Sequence, residues 1–284
     1  MRIDALFSAG FTRSFEFFPT KSDAEAATLE RTLLELQPLA PSFVSVTYRG
    51  GPASRQRTFD LVNRIQSESN LVAMAHLICV GHSEAELREI LLNYQAHRVE
   101  NLMALGGDRP EDPSLANGEF EFASQLVELA REIGGFSIGV AAHPLGHPRS
   151  RDLVSDRRHL AHKMQMADFA VTQFFFEAAE WRTLVDELGA LGVTKPVLPG
   201  VVPVTTLGGI PRMATMGAAV PHHLVERLEL AHEAGGPGAV RAEGIRAATE
   251  MCRELIDMGA PGIHFFTMNK SSATREIHAN LFGP

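Results

Sequence analysis

The sequence predicts a (β/α)8 (TIM) barrel of the α/β class, on three observations. Strand-like runs alternate with amphipathic helical stretches from end to end. Several of those runs are near-continuous apolar segments, as strands covered by helices on both faces are. The count reaches eight strand-then-helix units in 284 residues, the repeat number and length of that fold.

In order, "RSFEFF" (13–18) is followed by a helical pattern at 22–37, and "FVSVTY" (43–48) by one near 54–68. "LVAMAHLIC" (71–79) precedes a helix at 83–96, where Leu87, Ile90, Leu91 and Tyr94 recur at helical spacing. "ENLMALGG" (100–107) leads through a polar loop to a helix near 119–133. "SIGVAAH" (137–143) precedes a helix at 152–166, and "FAVTQFFF" (169–176) one at 178–191. "PVLPGVVPV" (196–204) is followed by extra helices near 206–216 and 221–233, then by a longer one at 238–258. "GIHFFT" (262–267) is the last strand, with a closing helix at 271–281. An open doubly wound sheet is the alternative. That fold carries a glycine-rich turn after its first strand, whereas here the strand ends in "FFPTKS" with no GxGxxG. No linker or internal repeat divides the chain, so residues 1–284 are expected to form one catalytic domain.

Composition narrows the function. The chain is 45% hydrophobic and 21% charged, with 26 basic against 34 acidic residues and a net charge of −8. Without a basic cluster, neither nucleic acid nor an anionic membrane is expected as a partner. Cys79 and Cys252 are the two cysteines, and they form no CxxC pair. A reducing cytoplasm fits that usage. No apolar run reaches the ~20 residues that span a bilayer, and "MRIDALFSAGF" lacks the apolar core of a signal peptide.

"SFEFFP" (14–19) sets Glu16 among Phe15, Phe17 and Phe18 in a strand. Burying a carboxylate disfavours its charged form. Either Glu16 reaches a wet edge or a neighbour such as Arg13, or a neutral acid is wanted there for chemistry. In a barrel the chemistry sits at the carboxyl ends of the strands. The polar residues there are Glu16, Thr47, His76, Asp108, His143 with His147, Gln173, and the trio Thr267, Asn269 and Lys270. Each alone can be a packing residue; together on one rim they suit a polar small molecule. His143 and His147 in "HPLGHP" have the spacing of paired zinc ligands, with His159 and His162 nearby, but Pro144 and Pro148 make this a loop rather than a ligand helix. No GxSxG supports a serine triad, and "GGDRPED" (106–112) lacks the Lys-Ser/Thr ending of a phosphate loop.

These motifs together resemble the methylenetetrahydrofolate reductase family. The resemblance runs from "SFEFFP" through "FVSVTY", "MALGGDRP", "AAHPLGHP", "VTQFFFE" and "VLPGVVPV" to "HFFTMNK". It implies a barrel enzyme of the short bacterial form that reduces 5,10-methylenetetrahydrofolate to 5-methyltetrahydrofolate with NADH or NADPH. It implies Glu16 as general acid and Asp108 as the carboxylate facing the cation. Gln173, Lys270 and Asp108 would bind substrate. Thr47, His76, Gly107, His143, His147, Asp156, His159 and Lys163 would line the flavin pocket. No metal is implied, and the oligomeric state is left open.

Three departures fall on the flavin side of the pattern. Gly106-Gly107-Asp108 stands where the family has Arg-Gly-Asp; His143 replaces a tyrosine; "HKMQMADF" (162–169) is one residue short. They argue for a weakened FAD grip and for hydride passing straight from the nicotinamide to the folate. Two other classes compete with a reductase: a related flavin-dependent barrel dehydrogenase, which should lack the "SFEFFP" acid, and a folate- or nucleotide-binding barrel without catalysis.

Overall fold

The computed structural model describes residues 1–48, 52–108 and 118–283. Eight parallel strands close into a barrel in chain order, each paired with its sequence neighbours and β8 with β1. They are β1 (Thr12–Phe17), β2 (Phe43–Val46), β3 (Ala73–Ile78), β4 (Asn101–Leu105), β5 (Ser137–Ala142), β6 (Phe169–Phe174), β7 (Val197–Val201) and β8 (Gly262–Phe266). The helices that follow the first six strands are α2 (Asp23–Leu36), α3 (Pro52–Glu68), α4 (Glu84–Ala96), α5 (Ala123–Ile133), α6 (Leu153–Met166) and α7 (Ala178–Ala190). After β7 come α8 (Ile210–Met216) and α9 (His222–Asp257), and α10 (Ser272–Phe282) closes the fold. Ser83 and Glu86 begin α4 with a reciprocal capping box, which explains the sharp start of that helix. The last extra helices form one bent element, because Gly235 and Gly236 leave helical geometry just before Pro237.

Strand alternation sorts the side chains into two cores. Phe15 and Phe17 point outward into the large cluster shared with Leu29, Leu36 and Ile277 of the helices. Phe43, Met74, Met103, Phe169, Val171 and Leu198 fill the lower barrel. Helix α1 (Ile3–Ala9), for which the sequence carries no helical pattern, closes the barrel floor with Ile3, Leu6 and Phe7 against that cluster. Phe7 and Phe169 lie 5.3 Å apart, centroid to centroid.

Above this apolar plug the interior turns polar, and that is where Glu16 points. Helix α9 buttresses the same end from outside, with Gly244 seated on the β7 exit. A Cβ there would lie 1.8 Å from the Val204 carbonyl oxygen. Gly244→Ala is therefore expected to destabilise the fold by about 1–3 kcal/mol, as overpacking against immobile backbone does. A denaturant midpoint unchanged from the parent would contradict this packing.

Candidate active site

Glu16 is 5% exposed, and two imidazoles face its carboxylate. Its Oε2 lies 3.6 Å from Nε2 of His76 and 3.7 Å from Nε2 of His264. Phe15 and Phe17 lie on the other face of β1, so they supply no apolar wall for the acid. Arg13 is not its partner either. The Arg13 guanidinium meets His278 Nε2 at 3.2 Å and the Phe282 ring on the outer surface. Burial lowers the His76 pKa, opposed by the Glu16 charge, so this imidazole is neutral at pH 7.

The β8 exit clamps the β1 exit. Met268 and Asn269 adopt left-handed φ of 52° and 56°, turning the chain back over β1. The Asn269 carboxamide then mimics a strand: it accepts from Phe18 N at 2.8 Å and donates to Phe18 O at 2.9 Å. Thr267 Oγ1 donates to the Glu16 carbonyl at 2.6 Å. The "SFEFFP" and "HFFTMN" motifs thus occur together because one fixes the backbone of the other.

A second group gathers at the ends of β4 and β5. Gly107 has φ of 84°, and a Cβ there would lie 3.0 Å from Ile78 Cβ. Only glycine suits that turn. The Asp156 carboxylate is spent within its own loop. It accepts from His147 N at 3.0 Å, Ser150 Oγ at 2.9 Å and Arg157 Nη1 at 2.9 Å. Lys163 donates to the Ala141 carbonyl at 3.2 Å. Burial pushes its ammonium below the ordinary lysine value, with Asp156 opposing. His143 packs edge-on against His147 at 4.7 Å. Burial, then His147, pushes its pKa down to about 4. His147 is likewise lowered, by burial and then by Arg149.

Arg149 carried no sequence signal. Its Nη2 donates to the Gly107 carbonyl at 3.2 Å and lies 3.6 Å from where a Cβ on Gly106 would stand. A guanidinium therefore fills the space beside the glycine that replaces the motif arginine. Of the shortened "HKMQMADF" segment, only Lys163 reaches this rim. The segment's first five residues end α6, and Ala167 and Asp168 make the α6–β6 turn at the amino-terminal end of the barrel, where Asp168 pairs with Ile138 N and Arg131.

The remaining expected residues scatter in role. Gln173 sits at the β6 end, but its carboxamide donates to Met216 O at 3.0 Å and accepts from Phe174 N at 2.9 Å. Asp108 and Lys270 are exposed on the rim, after β4 and β8. The rest of the "GGDRPED" loop, from 109 on, lies outside the described residues. His159 is exposed on α6 and does not join the cluster. No group of three metal-ligating side chains forms among the described residues. Cys79 and Cys252 are buried and unpaired, and no described helix is long and apolar enough to cross a membrane.

A family model described as methylenetetrahydrofolate reductase matches residues 2–282. The chain belongs to the methylenetetrahydrofolate reductase family. Among reductases of that name, the 5,10-methylenetetrahydrofolate reductase of Pectobacterium carotovorum is 32% identical over 266 residues, covering 93% of this chain and 88% of that protein. The Escherichia coli reductase is 32% identical over 267 residues with the same coverage. Methylenetetrahydrofolate reductase 1 of Schizosaccharomyces pombe matches 95% of this chain at 32% identity, and the match spans 46% of the yeast protein. Among solved structures, an uncharacterized protein from Clostridium thermocellum that binds two copies of 5-methyl-5,6,7,8-tetrahydrofolic acid superposes with a TM-score of 0.66. It covers 96% of this chain and 94% of that one at 9% identity, a likeness of fold alone.

Within this reductase family member, the residues that the strand-end reading missed are His264, Ser14 and Arg149. The signal for the first two was present. Period-two alternation places Ser14 and Glu16, and His264 and Phe266, on the inner faces of two paired strands. Arg149 lay in a loop, where spacing carries no orientation.

Proposed function

We propose that this chain, acting as one catalytic barrel, reduces 5,10-methylenetetrahydrofolate to 5-methyltetrahydrofolate with NADH or NADPH as hydride source. Family membership gives the reaction class. The observation that carries the assignment to this site is the buried carboxyl of Glu16, held at the inner rim between two imidazoles. The methylene carbon of the substrate bridges N5 and N10 in a five-membered ring. Glu16 gives its proton to N10, the C–N10 bond breaks, and N5 keeps the carbon as an iminium cation. Hydride from the dihydronicotinamide adds to that carbon, leaving a methyl group and oxidised nucleotide. A proton from solvent returns to Glu16 and completes the balance. Asp108 on the β4 rim stabilises the cation electrostatically, and Lys270 and Gln173 border the folate.

The family's flavin, when bound, relays hydride between nucleotide and folate. The groups suited to hold it are Thr47, whose buried Oγ1 lacks a partner, His76, Gly107, His147 and Lys163. The grip is weakened at three points. Gly106 offers no side chain, His143 is neutral, and Asp156 has its oxygens committed to the β5–α6 loop. One lost charge-assisted hydrogen bond is worth about 1.5–3 kcal/mol, or roughly ten- to a hundredfold in affinity.

On this account hydride passes straight from nucleotide to folate, both bound in the barrel mouth. The purified protein is expected to carry no stoichiometric flavin and to give intersecting double-reciprocal lines. A second reading rests on Arg149, which restores a cation beside Gly106. It expects yellow protein with parallel lines, and loss of the colour in Arg149→Ala. Absorbance of the purified protein together with initial-rate kinetics separates the two. Bound flavin that NADH reduces and the folate reoxidises would overturn direct transfer and leave the reductase assignment standing.

A further inference from the structure

The polar interior holds more than its acid. His264 is 1% exposed, and its Nε2, like that of His76, is a buried nitrogen with no hydrogen-bond partner. Both nitrogens face the same oxygen of Glu16. On the far side of the His264 ring, Nδ1 lies 2.8 Å from Ser14 Oγ, and Ser14 is fully buried one pleat below Glu16. The other acceptor in reach of that hydroxyl, Ile263 O, is 3.5 Å away.

Two arrangements fit these contacts: Nδ1–H donates to Ser14 Oγ while the hydroxyl donates to Ile263 O, or the hydroxyl donates to Nδ1. With Nδ1 accepting from Ser14, a neutral His264 must carry its proton on Nε2. That nitrogen lies 3.7 Å from Glu16 Oε2, beyond hydrogen-bond length. The Phe43 ring stacks over the imidazole at 6.1 Å and Phe266 meets it edge-on at 5.4 Å. The titratable groups facing Glu16 are then His76 from β3 and His264 from β8. From β2 its register partner is the uncharged Ser45.

We propose that Ser14 and His264 form a positioning pair that orients Glu16 and sets its proton affinity. Ser14 donates to His264 Nδ1, and His264 Nε2–H donates to Glu16 Oε2. The protonated carboxyl is left to face Nε2 of His76 and, when folate binds, N10. The nitrogen–oxygen separations exceed hydrogen-bond length, as such contacts commonly do before substrate draws the site together. This rests on Glu16 being the general acid. Neither Ser14 nor His264 touches the reacting atoms.

The pair makes a prediction that a purely packing role does not. An N–H aimed at the carboxylate favours its charged form, so removing it raises the Glu16 proton affinity. In His264→Leu the infrared band of the protonated Glu16 carboxyl, identified by its loss in Glu16→Gln, should persist to higher pH than in the parent. Ser14→Ala should shift it the same way by less. In His264→Gln, whose side-chain amide can place an N–H near the same point, the band should titrate close to the parent. In turnover, His264→Leu should lower kcat by about 10- to 100-fold with little change in folate KM, since a lost hydrogen bond to a charged group is of that size, and His264→Gln should recover most of it.

Circular dichroism confirms that each variant is folded. If His264→Leu folds poorly, Ser14→Ala and His264→Gln carry the test. A Glu16 band that titrates identically in parent, Ser14→Ala and His264→Leu overturns the pair, whatever the rates. A shifted band with turnover unaffected by Glu16→Gln keeps the pair and removes the acid role on which its function rests.

Discussion

Glu16→Gln is expected to remove most reductase turnover, about 10²–10⁴-fold in kcat, the range by which general acid catalysis accelerates reactions. Glutamine keeps the size and most of the polarity of the side chain but has no acidic proton to give. Ring opening then requires N10 to leave as an amide anion or to take its proton from water. The substitution leaves the outer cluster of Phe15 and Phe17 untouched, because that cluster packs on the opposite face of β1. The Thr267 and Asn269 clamps use backbone atoms of residues 16 and 18, so they persist as well. The fold and the folate Kd should therefore survive. Single-turnover rates with pre-bound methylenetetrahydrofolate check this directly. Near-normal turnover in the variant would make Glu16 a structural carboxylate that happens to face two histidines.

Asp108→Asn is expected to slow turnover by about 10²–10³-fold, the size of effect seen when a preorganised electrostatic partner is removed. The reaction creates a positive charge on N5 and the methylene carbon as N10 departs. On the proposed mechanism, a carboxylate at the rim stabilises that charge. Asp108 is exposed and directly follows the left-handed Gly107. Loss of charge should act on kcat more than on ground-state binding, because the cation exists only after ring opening. An unchanged rate with an unchanged folate Kd would reduce Asp108 to a loop-shaping residue.

The barrel was legible because its strands are covered on both sides. Runs such as "LVAMAHLIC" and "FAVTQFFF" announce themselves without any alternation to decode. Helix α1 was not legible. Seven residues are too short for a helical period to stand out, and its stability comes from plugging the barrel floor rather than from propensity. Glu16 was legible as an anomaly, but its partners were not. Three neighbouring phenylalanines suggest an apolar wall, yet alternation sends Phe15 and Phe17 outward and leaves imidazoles from β3 and β8 around the acid. Those partners lie 60 and 248 residues away in sequence, so only strand register brings them together. The same limit hid Arg149, which reaches Gly107 across a loop whose course no periodicity encodes. In the reverse direction, His159 had the right residue type near the right motif, and the turn of α6 faces it to solvent.

The central claim is that this barrel turns over methylenetetrahydrofolate through an acid-opened iminium. The most direct test incubates the purified protein anaerobically with methylenetetrahydrofolate and NADH, then NADPH, and quantifies 5-methyltetrahydrofolate against nucleotide oxidised. The account predicts one methyl product per nucleotide oxidised with at least one of the two, and near-complete loss of that product in Glu16→Gln. Tight binding of the folate with no product from either nucleotide, with or without added FAD, would contradict it.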